Sequence, residues 1–78
     1  MAARAKNVMP SDVRSRLVAA GVMNDYESRP AYQRNDYLGW IDRAKQSATR
    51  EKRISQMLDE LQHGGVYMKM THPPSAKG

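Results

Sequence analysis

Apolar residues recur along this chain at the three-and-four spacing of a single helical face, and three segments carry that pattern. The first starts at Pro10-Ser11-Asp12, with Ser11 in the N-cap position, and stops at Gly21; its apolar positions Val13, Leu17 and Ala20 fall at i, i+4 and i+7. A serine at the start and a glycine past the end are ordinary helix boundaries. The second segment begins at Pro30, which a first turn tolerates, and runs through AYQRNDYLGWIDRAK to about Lys45. Tyr37, Leu38, Ile41 and Ala44 share one of its faces, Trp40 lies at the margin, and Arg34 falls on that same face. The third runs from about Ala48 to Gln62, with Ser47 as N-cap and Gly64-Gly65 as its end. Ile54, Met57, Leu58 and Leu61 form its stripe, the clearest amphipathic signal in the chain. Arg50 lies on the stripe, Arg53 on its flank and Lys52 opposite it.

The intervening residues complete the outline. Between Val22 and Arg29 the pattern is irregular, and Asn24, Asp25 and Ser28 predict a short turn that folds Met23 and Tyr26 over the core. Val66-Tyr67-Met68-Lys69-Met70 alternates enough to lie extended across a helical groove. Residues 71–78 hold two prolines and no large apolar residue, which predicts disorder. The expected fold is all-α, a small three-helix bundle with a short extra turn and an extended C-terminal tail. Its expected divisions are a flexible arm over residues 1–9, one helical domain over 10–70 and a disordered tail over 71–78. Ile54, Leu58, Leu61, Ile41, Leu38 and Leu17 are the expected core.

With 78 residues and 40% hydrophobic content, the chain has material for one small core and little room for a deep enzyme cleft. Cysteine is absent, which removes disulfides and thiolate metal sites together. His63 and His72 lack metal-ligand spacing, and His63 reads as part of a helix end. No apolar run approaches the roughly 20 residues that span a bilayer, and MAARAKNVMP lacks the apolar stretch of a signal peptide. A cytoplasmic location is the resulting expectation.

The formal charge of +5 invites a nucleic-acid reading, but its distribution weakens that reading. Arg4, Lys6, Lys69 and Lys77 lie in the two tails, which leaves nine cations facing eight anions between them. The middle is itself polarised, because residues 43–53 hold five cations and one anion. Within that band, SATREKRI places three cations in four residues at a helix start, where the dipole disfavours each by roughly 0.3 to 1 kcal/mol. Something negative is expected opposite them, either a phosphate backbone or carboxylates of the same chain.

From Tyr26 to Met70 the order of residues resembles the YdeI/OmpD-associated family, also described as bacteriocin-protection proteins. The resemblance rests on Tyr37-Leu38, Trp40-Ile41, Ala44-Lys45, Thr49-Arg50 and Arg53-Ile54, followed by the glycine pair and Val66-Tyr67-Met68. The linker Gln46-Ser47-Ala48 departs from the acidic or proline-containing linker common in the family, which bears on turn geometry. The resemblance implies a small helical domain, and an association with survival under bacteriocins, cationic peptides or envelope stress. It implies no reaction, cofactor or catalytic residue. Direct capture of a cationic peptide conflicts with the chain's own positive charge, so an indirect protective role is expected.

Arg34 and Arg50 each sit on an otherwise apolar face, where a guanidinium needs a partner. Pairing with Asp36, Asp42 or another carboxylate at a helix edge is one reading, and an anion-binding notch at the start of the third helix is the other. Tyr37 and Trp40 read as core or core margin, whereas Tyr32 points away from the stripe, either covered by the tail or exposed to a partner. The candidate interaction or anion-binding residues are therefore Arg43, Lys45, Thr49, Arg50, Lys52, Arg53, Tyr32 and Arg34. A helix-turn-helix reader, with Ser47, Thr49, Arg50, Lys52 and Arg53 at the start of a recognition helix, is the competing arrangement. No nucleophile-base pair or phosphate loop is legible, so an enzyme is not expected, nor is a cofactor. The expectation is a monomeric, non-enzymatic interaction or stress-protection module with a protein partner, and weak nucleic-acid binding is the alternative.

Overall fold

Gly21 is the first point at which the chain must turn. In the computed structural model, which describes residues 7–76, helix α1 (Ser11–Ala19) closes there through two bonds, from Gly21 N–H to the Val18 carbonyl and from Val22 N–H to that of Leu17. This is a Schellman end, and it needs the φ of +72° that glycine adopts without a Cβ penalty. Val22 and Leu17, which the motif brings together, are both buried in the core.

The chain then forms helix α2 (Met23–Ser28) rather than the expected turn. Asn24, Asp25 and Ser28 are turn formers in isolation, yet here Ser28 Oγ donates back to the Asn24 carbonyl at 2.8 Å, within the helix. Burial of Tyr26 against the core supplies what local propensity does not. Arg29 is extended, as the residue before a proline prefers, and Pro30 leads into helix α3 (Ala31–Asp42). After a short connection, helix α4 (Ser47–His63) runs to Gly64. Pro10 and Gln46 hold the N-cap positions expected of Ser11 and Ser47, and neither makes a side-chain cap bond. The boundaries thus shift by one residue.

Strand β1 (Gly64–Tyr67) follows α4 directly and pairs antiparallel with strand β2 (Met70–Ala76). The all-α three-helix expectation is therefore corrected to a small mixed α/β fold, with four helices and a two-stranded sheet among the described residues. The expected strap over 66–70 is the hairpin turn with its flanking pair Val66↔Thr71 and Tyr67↔Met70, and the tail expected to be disordered supplies β2. Residues 1–6 and 77–78 of the expected arm and tail lie outside the described residues.

The core gathers Val13 and Leu17 from α1, Val22, Tyr26 from α2, Tyr37, Leu38 and Ile41 from α3, and Ile54, Met57 and Leu61 from α4. Leu58, expected among them, is only partly buried and packs on the edge, so Met57 takes its place in the centre.

Candidate functional site

A chain of buried polar side chains crosses the apolar core. Glu60 is 4% exposed, and its carboxylate accepts Tyr37 Oη at 2.5 Å, the backbone N–H of Met68 at 2.9 Å and that of Lys69 at 2.8 Å. Gln56 Nε2 donates to it as well, at 3.1 Å. Met68 and Lys69 both hold positive φ, 50° and 63°, which side chains other than glycine or asparagine rarely adopt. The hairpin turn is held by a carboxylate at the end of α4, which accepts from both of its amides, eight and nine residues further along the chain. Burial, followed by the bond to Glu60, pushes the Tyr37 phenol well above its ordinary range, so it remains a hydrogen-bond donor.

The network continues to the surface. Arg29, also 4% exposed, donates through Nη2 to the Glu60 carbonyl and through Nη1 to Gln33 Oε1, each at 3.2 Å. Gln33 is fully buried, and its Nε2 donates to Tyr32 Oη at 3.1 Å. Tyr32 is 50% exposed, yet it is held at its hydroxyl by Gln33 and at its ring by an edge contact with Tyr67, 6.0 Å between centroids. Tyr67 in turn meets Tyr37 edge-on at 5.4 Å and donates to Asp36 at 2.7 Å.

Tyr32 forms one wall of a cleft of about 530 Å³, floored by the buried side chains of Tyr26 and Leu38. Ala31 adds to the apolar lining, and Asn7 and Asn35 close the rim, bonded to each other through Asn7 N–H to Asn35 Oδ1 at 2.7 Å. Gly39 admits this segment: a Cβ there would stand 2.9 Å from Asn7 Nδ2. Arg34 lies in the same lining, where its Nε donates to the Arg29 carbonyl at 3.1 Å and Nη1 sits 3.7 Å from Glu27. Burial pushes the Tyr26 phenol up, so it presents a neutral hydroxyl. Volume, apolar floor and a few fixed polar groups are the usual make-up of a ligand site.

The basic band is used differently. Arg50 forms a two-pronged pair with Asp12 of α1, Nη2 to Oδ1 at 3.0 Å, and Arg16 of α1 pairs with Glu51 at 2.8 Å. Two reciprocal ion pairs thus join the first and last turns of α1 to the start of α4, and the Arg50 guanidinium holds the Asp12 carboxyl below its ordinary value. The partner of Arg50 is neither Asp36 nor Asp42. Arg53 donates to the Trp40 carbonyl at 2.6 Å and lies over its ring, 5.4 Å from the centroid. Thr49 is half-buried, whereas Arg43, Lys45 and Lys52 are exposed. His63 Nδ1 contacts the Asp59 carbonyl at 2.9 Å, a bond within the helix end.

Of the eight candidate residues, Tyr32 and Arg34 meet in the cleft, and the six from 43 to 53 run from the C-cap of α3 through the connection into the first turns of α4. Tyr26, Leu38, Asn7 and Asn35 are additional cleft residues, and Arg29, Gln33 and Glu60 additional supports. The placement of Glu60 beside the apolar stripe of α4 was a legible sign of burial; Asn7 carried none. Among the described residues, no helix is long and apolar enough to cross a membrane.

Residues 7–64 match the family described as Bacteriocin-protection, YdeI or OmpD-Associated. That span contains the whole described lining of the cleft and ends where the hairpin begins. No curated protein and no solved structure matches the chain.

Proposed function

The chain belongs to the Bacteriocin-protection, YdeI or OmpD-Associated family, and from that premise we propose that it is a non-enzymatic, cytoplasmic interaction module in stress protection. The observation that carries this reading is the cleft beside Tyr32, where an exposed aromatic ring is fixed from behind by a buried hydrogen-bond chain. An aromatic held in place loses little entropy on contact, which is the property of an interface anchor. Arg34 beside it supplies one oriented charge for specificity.

The test is survival under bacteriocin or cationic-peptide challenge in cells that lack the protein and are supplied with the parent chain or with Tyr32→Ser. The parent should restore survival and the variant should not, while a melting curve shows the variant still folded at the assay temperature despite the lost Gln33 and Tyr67 contacts. Full protection by Tyr32→Ser contradicts the reading.

A second reading, weak nucleic-acid binding, is favoured by the exposure of Arg43, Lys45 and Lys52 around the start of α4. It predicts affinity for mixed DNA or RNA that falls steeply with salt. Flat or absent binding across a salt series removes it.

A further inference from the structure

We infer that the α2–α3 cleft accepts a short acidic peptide segment of a partner protein, with one aromatic or branched apolar side chain seated against Tyr32 and Ala31 and a carboxylate on Arg34. This rests on the interaction reading above and names the chemistry of the partner.

Charge complementarity selects the occupant. Among the described residues that line the cleft, Arg34 is the one charged side chain, and the remainder are tyrosine, asparagine, leucine and alanine. Its Nε is fixed on the Arg29 carbonyl, so the guanidinium is oriented before any ligand arrives. Its Nη1 is 3.7 Å from Glu27, whose side chain is 59% exposed. An exposed pair at that distance is weak, and an incoming carboxylate that makes two parallel bonds can displace it. With Arg34 as the charge it meets in the cleft, an anionic segment is favoured there over a cationic one.

Apolar contact is equally required. Tyr26 and Leu38 are 4% and 6% exposed, so they back the cleft, and its accessible apolar surface comes from Ala31 and the half-exposed Tyr32 ring. The projecting group on this protein's side is Tyr32, whose ring can lie along the incoming chain. A volume of about 530 Å³ suits one large side chain and its neighbouring backbone.

The experiment titrates the full-length protein with a labelled peptide of Asp, Glu and Ser around a single Phe, read by anisotropy and by amide chemical shifts. Two control peptides replace the acids by Lys or the Phe by Ser. The acidic, Phe-bearing peptide should bind and shift the amides around Tyr26, Tyr32, Arg34 and Leu38, and both controls should bind at least about tenfold more weakly, a difference of about 1.4 kcal/mol. Arg34→Gln should weaken binding by a similar factor, with Arg34→Lys recovering part of it at low salt. Melting curves of each variant separate lost binding from lost folding.

Equal binding of the Lys peptide overturns the inference, as does a shift pattern centred on residues 43–53 or a concentration-dependent dimer that buries the cleft. If no acidic peptide binds while Tyr32→Ser still abolishes protection, the acidic class falls and the interaction reading stands. If the peptide binds as described while Tyr32→Ser protects fully, the cleft assignment stands and the protective reading falls.

Discussion

Arg50 and Glu60 show how a single residue's charge acquires a structural role. Arg50 sits where a helix dipole disfavours it, and the Asp12 carboxylate opposite removes the difficulty. The depressed Asp12 value fixes the sign of the pH dependence. The pair's stabilisation is fully present above the unfolded carboxyl's value of about 3.9 and is lost as pH falls through the lower folded value. An NMR titration should therefore find Asp12 protonating below the ordinary range, and Arg50→Ala should return it there; an unchanged midpoint contradicts the pairing. Because Asp12 is exposed, the accompanying change in melting temperature is small. Glu60 is the opposite case, a buried acceptor of both turn amides. Glu60→Gln replaces one of its oxygens by a donor and should cost roughly 1 to 3 kcal/mol, with faster hydrogen exchange at the Met68 and Lys69 amides. Retained protection at both amides shows that the turn does not depend on the carboxylate.

At the scale of elements, what the sequence disclosed and what it concealed divide by the range of the interactions involved. The stripe of α4 and the glycine stop of α1 are local patterns, and Ile54, Met57, Leu61 and Gly21 all take the positions that periodicity assigns them. The hairpin was concealed because Met68-Lys69 carries no asparagine or glycine signal; its positive φ values are stabilised by Glu60 from outside the turn. Helix α2 was concealed for a related reason, since six residues rich in turn formers depend on Tyr26 docking against other elements. Of the cleft, Tyr32 and Arg34 were legible as misfits on their helix, whereas Asn7 and Tyr26 reach it only through the tertiary fold. The burial order also revises which leucine of α4 matters most. Leu61→Ala empties a fully buried position and should destabilise by about 2 to 5 kcal/mol, whereas Leu58→Ala at the core's edge should cost less. Denaturant melts of the two variants check this, and a larger loss at Leu58 contradicts the packing.

Across the whole molecule, the charged residues serve two ends. Those joining α1 to α4, and Glu60 beneath the hairpin, hold elements together. Arg34 instead stands in a cleft with an apolar floor and a fixed aromatic wall, within the span that matches the family. The claim that the cleft, and not the basic helix start, faces the partner is tested most directly by one survival assay. Cells lacking the protein are given Arg34→Gln or the double variant Lys45→Ala/Lys52→Ala and challenged with bacteriocin. The predicted result is that the double variant protects as the parent does and Arg34→Gln, folded to the parental melting temperature, does not. Protection by Arg34→Gln together with failure of the double variant would contradict it.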